Sequence, residues 1–301
     1  MNNLPQKTPH RLLRSSVPIS DLSETFCPIC KSQQRKFLRE EREFPIWECR
    51  QCRHLYVSPR PSRAWLSDYY ANYWRRKVNT ATASENKWQE IENRHYDIYE
   101  ATVRAVTRYL PAQGALLDVG MEYGGFLELA VSEGWQISGI EIGNAAFAIA
   151  QKRLGQDVCL YHDYFENVDI APASVDCIVM LNVIEHIHDP VEVCRRAFDL
   201  LRPGGGLALR WPNTRKFLAA PAHLHQFSWR SITRLFHSAG FIDHCQFWAG
   251  TSDYSQSSPA TRLKVWIARF GARSLVTATF GKCLPPFVSK LTLGRKPLKS
   301  L

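Results

Sequence analysis

Cys27-Pro28-Ile29-Cys30 and Cys49-Arg50-Gln51-Cys52 are two C-x-x-C pairs separated by 18 residues. Each pair folds into a tight knuckle that aims two thiolates at one point, and two knuckles at this spacing make a closed tetrahedral zinc site. Four protein ligands leave no open position, so the zinc is expected to be structural. A redox role or chance are the competing readings, and two pairs at this spacing argue against both. The segment is too short for a core of its own, so metal binding would stabilise its fold. Such a ribbon could contact a substrate or brace the helix that follows it.

A second constellation begins at residue 115. Leu116-Leu117-Asp118-Val119-Gly120 leads through Met121, Glu122 and Tyr123 to Gly124-Gly125-Phe126. An acidic residue ending a buried strand, then glycines, then a helix, aims backbone N–H groups at a ligand above the carboxyl ends of the strands. The dinucleotide pattern G-x-G-x-x-G is not met, because Met121 and Glu122 follow Gly120. Glu141 ends the next apolar run, where a carboxylate can hold both hydroxyls of a ribose. Asp163 ends the third and could accept from an adenine amino group. Each carboxylate alone could be a helix cap or a solvated loop residue. Three at successive strand ends favour a ligand site.

The elements that must position these groups read as follows. Runs at 115–120, 136–141, 157–163, 175–182 and 206–212 are short and apolar, and 241–248 would be a sixth strand. Segments 124–133, 144–154, 189–201 and 228–239 have helical spacing between them. This alternation predicts an α/β fold, a doubly wound parallel sheet with helices on both faces, beside the small N-terminal zinc ribbon. Residues 84–110 read as one amphipathic helix, with Trp88, Ile91, His95, Ile98, Thr102, Val106 and Tyr109 on one stripe. Thr82 and Glu85 have capping-box spacing before it, and Pro111 ends it. The expected units are a flexible tail at 1–22, the ribbon at 23–60, an aromatic-rich helical cap at 61–110, the sheet domain at 111–250 and an extension at 251–301.

The chain has 301 residues, 45% hydrophobic and 12% aromatic, a globular composition with a real core. No uncharged apolar run reaches the roughly 18 residues of a membrane span, and the N-terminus is not expected to be a secretory signal. Nine cysteines are an odd number. Cys159, Cys177, Cys194, Cys245 and Cys283 are scattered, which suits a reducing cytoplasm. The net charge of +10 is uneven. Residues 1–80 hold 15 basic against 7 acidic side chains, 251–301 hold 9 against 1, and 111–250 hold 10 against 15. Basic ends on an acidic body could meet RNA, an anionic lipid surface or a phosphorylated substrate, or could simply be solvated. In the extension, Arg262, Lys264, Arg269 and Arg273 interleave with Val265, Trp266, Ile267 and Phe270. That pattern reads as a basic amphipathic helix, either lying at the inner face of a membrane or packed on the core.

Read together, the glycine turn and the segments Gly139-Ile140-Glu141, Ser174-Val175-Asp176, Asn182-Val183-Ile184-Glu185-His186-Ile187-His188-Asp189-Pro190, Leu201-Arg202-Pro203-Gly204-Gly205, Trp211-Pro212-Asn213, His223 to Ser228 and Ala239-Gly240-Phe241 form an ordered series. The series resembles the class I S-adenosylmethionine-dependent methyltransferases, in particular the ubiquinone and small-molecule subgroup. Members with a paired-cysteine ribbon look similar from residue 27 onward. The resemblance implies a Rossmann-like S-adenosylmethionine-binding domain. It implies that Asp118, Gly120 and Gly124 surround the methionine part of the cofactor and that Glu141 holds the ribose. Asp163 would meet the adenine, Ile142 or Tyr164 would pack on its ring, and Asn182 would line the pocket beside the sulfonium. Two positions depart from the family. Glu122 stands where the loop usually has its second glycine; it could clash, repel the cofactor carboxylate or pair with its ammonium. Leu291 to Leu301 makes a poor seventh strand.

Methyl transfer from a sulfonium is a direct displacement, so the protein's main work is alignment and exclusion of water. A hydroxyl acceptor, or a carbon beside a carbonyl, benefits from a base. His186, at the end of the fourth strand, is the candidate base, with Glu185 orienting it or binding substrate. His188, His223 and His225 are the other histidines in reach. Tyr69, Tyr70, Tyr73 and Trp74 could roof the acceptor pocket or be core. No second metal site is evident in the sequence. The favoured reading is methyl transfer to a small-molecule or glycan-precursor acceptor, O- over C-methylation. An RNA-directed methyltransferase gripping its substrate with ribbon and basic ends is the second reading, opposed by the lack of an N/D-P-P-Y/F-type loop after the fourth strand. A degenerate, non-catalytic binding protein is the third.

Overall fold

A computed structural model describes residues 17–69, 87–110, 113–212, 220–248 and 290–298. Residues 1–16 of the expected tail, the aromatic residues Tyr70, Tyr73 and Trp74, the cap at Thr82 and Glu85, and the basic 262–273 segment lie outside the described residues. The end of that tail is corrected to ordered structure, since Val17 is buried, Ile19–Asp21 form a 3-10 turn and Leu22 pairs with Pro61.

The N-terminal part is built from short antiparallel strands. β1 (Leu22–Ser23) pairs with β5 (Arg60–Pro61). β2 (Arg35–Glu41) and β3 (Phe44–Cys49) form a hairpin whose two turn residues, Arg42 and Glu43, have φ of 50° and 66°. Two successive left-handed residues match the right-handed twist of the flanking strands. β4 (Leu55–Val57) pairs with β3. Phe44, Ile46, Leu55 and Val57 are buried with Val17 and Ala220 in a small core.

Helix α1 (Lys87–Tyr109) follows, then β6 (Ala115–Val119), α2 (Gly125–Ser132), β7 (Gln136–Ile140), α3 (Asn144–Leu154), β8 (Cys159–Tyr161), β9 (Val175–Leu181), α4 (Pro190–Leu200) and β10 (Leu201–Trp211). The chain closes with β11 (His225–Gln226), α5 (Trp229–Ser238), β12 (Ile242–Trp248) and β13 (Lys290–Arg295). Seven strands form one sheet in the order β12-β13-β10-β9-β6-β7-β8. β10, β9, β6, β7 and β8 run parallel, and β12 and β13 run antiparallel. The parallel doubly wound sheet expected from the alternation of elements is present.

Alternation along the strands explains the two covered faces. Leu117, Ile178, Met180 and Leu209 face one core with Ala197 of α4 and Leu235 of α5. Leu116, Cys177, Val179 and Ala208 face the other, with Val106 of α1 and Leu127 and Ala130 of α2. Local sequence ends the helices where expected. Asp189 accepts the N–H groups of Val191 and Glu192 before Pro190 at the first position of α4, and Ser228 and Ser231 form a reciprocal cap on α5.

One expectation is corrected. The 291–295 segment is a full strand, inserted between β10 and β12. Leu291 and Leu293 are buried on one face, and Thr292 on the other accepts from the Trp211 indole at 3.3 Å. Gly294 is required by packing, since a Cβ there would lie 2.3 Å from the Phe236 ring. A short run with a central threonine and a glycine carries little strand signal, yet both neighbours are satisfied through it. A second unexpected strand, β11, pairs not with this sheet but with β4 of the N-terminal part, His225 opposite Tyr56.

Candidate functional site

The four cysteines come together as their spacing predicts. The Cys27 and Cys52 sulfurs lie 3.5 Å apart, as do those of Cys30 and Cys49, and all four are within 4.8 Å of one another. Four sulfurs on a tetrahedron about 2.3 Å from a zinc ion are about 3.8 Å apart, so the donor set fits that metal. Both knuckles repeat one turn. The N–H of Lys31 donates to Cys27 O at 2.8 Å, and that of Arg53 to Cys49 O at 3.0 Å, with left-handed φ at both donors.

A cavity of about 430 Å³ opens over the carboxyl ends of the parallel strands. Asp118, Gly120, Glu141, Ile142, Tyr164, Asn182 and His186 all line it. Gly124 does not; it has φ 86° and caps α2. Asp163 does not either. It is exposed, and its Oδ1 accepts the Tyr164 N–H at 2.6 Å and the Asn167 amide at 2.8 Å, which hold its pKa below the usual range. The structure therefore gives Asp163 the job of fixing the turn that presents Tyr164.

The glycine turn is tied to the next strand. Gly120 and Met121 both donate to Ile140 O, at 2.8 and 3.1 Å. A Cβ on Gly120 would meet Val183 at 2.6 Å, and its φ is 78°. Glu122 holds the left-handed conformation, φ 48°, that the family's glycine would supply. Glu92 of α1 caps α2 by accepting the Gly125 N–H at 3.0 Å, and Arg153 pairs with the same carboxylate.

Electrostatically the floor of the cavity is acidic. Asp118 is 2% exposed, and its Oδ1 has no hydrogen-bond partner among the described residues. Burial, reinforced by Glu141 and Glu122, pushes its carboxyl well above the usual range. Glu141 is also buried and accepts two backbone N–H groups, from Glu122 at 3.0 Å and Gly143 at 2.6 Å. Tyr164 and Ile142 are partly exposed apolar groups at the rim, and the Tyr164 hydroxyl meets Ser67 Oγ at 2.6 Å.

The other side is made by the β9 tip. Asn182 has φ 58°, donates its N–H to Arg210 O at 3.0 Å and accepts on Oδ1 from the Arg210 guanidinium. His186 places Nδ1 2.8 Å from Ala222 O. A carbonyl only accepts, so Nδ1 carries a proton, and in the neutral ring the lone pair is on Nε2. Burial holds this imidazole below its usual pKa. His223 stands edge-on to it, ring centroids 4.7 Å apart. Glu185 is 1% exposed; burial raises its pKa to about 8 against the opposing charge of Arg210, and neither carboxylate oxygen has a hydrogen-bond partner among the described residues. One donor atom from each of Glu185, His186 and His223 lies within 4.8 Å of the others, a cluster the sequence did not disclose.

The remaining candidates are structural in their contacts. His225 Nε2 lies 2.8 Å from Ile187 O and so carries the proton, which leaves its Nδ1 to accept from His54 Nε2 at 3.1 Å. His188 is not a lining residue; its carbonyl accepts from Arg60 at 2.8 Å. Tyr69 lines the cavity. Residues that sequence reasoning missed include Arg210, His95, Tyr99 and Arg42. Arg210 had one signal, a charge inside an apolar strand. Arg42 had none, because it reaches the cavity from the ribbon hairpin, donating to Ala220 O at 3.0 Å.

This arrangement of sheet, glycine turn and carboxylate at the second strand end defines a nucleotide-cofactor type of α/β domain. Residues 91–246 match the family described as "Methyltransferase domain", and the chain belongs to that family. Over 143 residues it is 27% identical to the ubiquinone biosynthesis O-methyltransferase of Pseudomonas savastanoi, covering 45% of this chain and 62% of that one. The chain spans about 61–62% of the length of such curated relatives. Among solved structures, it is similar to a chain of the Haloferax volcanii complex containing the Trm112 methyltransferase activator. That likeness has a TM-score of 0.55 and 17% identity over 72% of this chain and 96% of that one. It is similar also to the Burkholderia thailandensis 1,6-didemethyltoxoflavin-N1-methyltransferase, with a TM-score of 0.54 and 13% identity over 88% and 99%. At these identities the structures speak for the fold.

Proposed function

We propose that the chain transfers the methyl group of S-adenosylmethionine to a small-molecule acceptor, with a hydroxyl favoured over carbon. The observation that carries the reading is the buried Asp118 carboxyl, with one oxygen unpartnered among the described residues, beside Glu122 and Glu141 at the carboxyl edge of the sheet. A buried acidic floor is costly unless a cationic partner meets it. The cofactor carries an ammonium and a sulfonium, and it supplies an electrophilic methyl group when bound. Asp118 and the Gly120 turn would hold its amino-acid end, Glu141 its ribose, and Ile142 and Tyr164 its ring. A cavity of this size fits one small ligand with room for an acceptor. Asn182 and His186 would face the transferred methyl, and the His186 Nε2 lone pair would be directed at the acceptor. The Cys27, Cys30, Cys49 and Cys52 thiolates would hold a structural zinc, which supplies folding energy to the ribbon and no chemistry. The reading suits a reducing compartment, where those thiolates stay available.

Calorimetric titration of S-adenosylmethionine into zinc-loaded protein tests this, with Glu141→Ala as control. Binding weakened by about one to two decades in the variant is expected, from a charged hydrogen bond worth about 1.5–3 kcal/mol. Absence of binding by the folded wild type would overturn the reading. An acceptor screen with phenols and sugar nucleotides follows.

A further inference from the structure

We infer that the acceptor carries a carboxylate or phosphate group and that Arg42, at the tip of the ribbon's β2–β3 hairpin, binds it and so sets acceptor specificity. The inference deepens the methyl-transfer reading and rests on it for the cofactor. The place and charge of Arg42 stand independently of it.

The cavity is electrically uneven. Asp118, Glu122 and Glu141 line it at the strand ends, where the cationic end of the cofactor would lie. A second wall is formed by Arg42, His186, Ala222 and His223. Two arginines line the cavity among the described residues. Arg210 belongs to β10 and donates to Asn182 Oδ1, which commits it to the β9 tip. Glu166 also lines the cavity, and Arg63 pairs with that carboxylate at 3.9 Å. Arg42 is the cation that the ribbon brings.

Its placement is unusual for a turn residue. Arg42 and Glu43 are the two central residues of the hairpin, with φ of 50° and 66°. Such a turn favours asparagine and glycine, because a Cβ is strained in the left-handed region. An arginine there spends backbone energy that a purely structural turn would not need. The half-buried side chain reaches from the ribbon to the cavity wall and donates from Nη1 to Ala220 O at 3.0 Å. That bond orients the guanidinium. Two residues further on, the Ala222 carbonyl holds His186 Nδ1. Two residues of chain span at most about 7 Å, so Arg42 and His186 are anchored on one short strip of backbone. One small molecule can meet both, with its anionic group at the guanidinium and its reacting oxygen at His186.

A guanidinium is a planar fork that matches the oxygens of a carboxylate or a phosphate. Inside a cavity the attraction is stronger than in open water. The same charge disfavours a cationic acceptor such as an amine. A cavity of about 430 Å³ restricts the acceptor to a small molecule.

The test is calorimetric titration of matched probes into the full zinc-loaded chain with S-adenosylhomocysteine present. One arm compares para-hydroxybenzoate with para-hydroxybenzamide. The other compares para-hydroxyphenyl phosphate with hydroquinone, so the arms separate carboxylate from phosphate. At least one anionic probe is expected to bind at least about tenfold more tightly than its neutral counterpart, and Arg42→Asn to remove the difference. Asparagine suits the turn, so this variant should melt no lower than the wild type. Arg42→Lys keeps the charge without the fork, should retain part of the preference, and guards against a folding defect. Equal binding of charged and neutral probes, no binding of either anionic probe, or a preference that survives in Arg42→Asn would overturn the proposal. S-adenosylmethionine titrated into the same wild-type protein reports separately: cofactor binding without an anion preference overturns only the role of Arg42, and lack of cofactor binding overturns the methyl-transfer reading.

Discussion

Glu122 donates its backbone N–H to the Glu141 carboxylate at 3.0 Å, so the residue that replaces a glycine also orients the acid at the second strand end. The side chain and the backbone of Glu122 therefore do separable things. A left-handed L-residue costs about 1–2 kcal/mol, and a glycine there would lose about 0.5–1 kcal/mol in chain entropy. Glu122→Gly is expected to leave thermal stability within about 1 kcal/mol, because these terms oppose. It keeps the bond to Glu141 and removes one carboxylate, so S-adenosylmethionine affinity should fall about two- to fivefold, as for a partly exposed ion pair. Calorimetry and a thermal melt check both; tighter binding would show that Glu122 repels the cofactor's own carboxylate.

Asp118 predicts a pH dependence. Its carboxyl is held well above the usual range in the free protein, so it carries a proton at pH values where an ordinary aspartate has lost it. A cationic ligand favours the ionised form, and binding must then expel that proton. Affinity should rise with pH, by up to about tenfold per unit, until Asp118 is already ionised in the free protein. Calorimetry in buffers of differing ionisation enthalpy counts the proton, and Asp118→Asn should abolish the slope.

His54 and His225 form a buried hydrogen bond between the ribbon and the methyltransferase domain, 3.1 Å long. His54→Leu leaves the His225 Nδ1 acceptor without its donor in an apolar setting. The expected loss is about 1–3 kcal/mol, measured by denaturant unfolding. A neutral result would mean that water reaches the site.

Cys52→Ser should release zinc and loosen the ribbon, because structural zinc supplies about 10–16 kcal/mol of binding energy to isolated finger peptides. Hydrogen exchange provides the discriminating readout. Amides of β2, β3 and β4 should lose protection, and those of β11 with them, while β6 and β7 keep theirs. Retained protection in β11 would mean that the pairing with β4 is dispensable.

The parts of this molecule legible in its sequence are those encoded by periodicity and fixed spacing. Leu116 and Leu117, or Ile178 and Val179, are adjacent apolar residues that serve opposite faces, which is what a doubly covered strand requires. The cysteine knuckles announce themselves for the same reason. What could not be read is long-range and side-chain-poor. β11 is two residues of backbone pairing, and β13 depends on Gly294 lying under Phe236. Glu185 and His223 meet through backbone bonds from Leu224 and His225 to Glu185 O, a long-range contact with no local signature. Asp163 shows the converse case: an acid at a strand end whose side chain is bonded to Asn167 and the Tyr164 N–H of its own loop.

The pairing of β4 with β11 has a consequence for synthesis. His54, immediately before β4, and His225 of β11 are hydrogen-bonded although 171 positions apart. On a ribosome adding about 5–20 residues per second, β4 stands as an open edge for about ten to thirty seconds after it emerges. An unpaired edge of that kind is a place where nascent chains join one another. The two cysteine knuckles flanking the β2–β3 hairpin could close at once on a zinc ion, since all four cysteines are already out. Early zinc capture would thus order the ribbon well before β11 arrives to cover that edge.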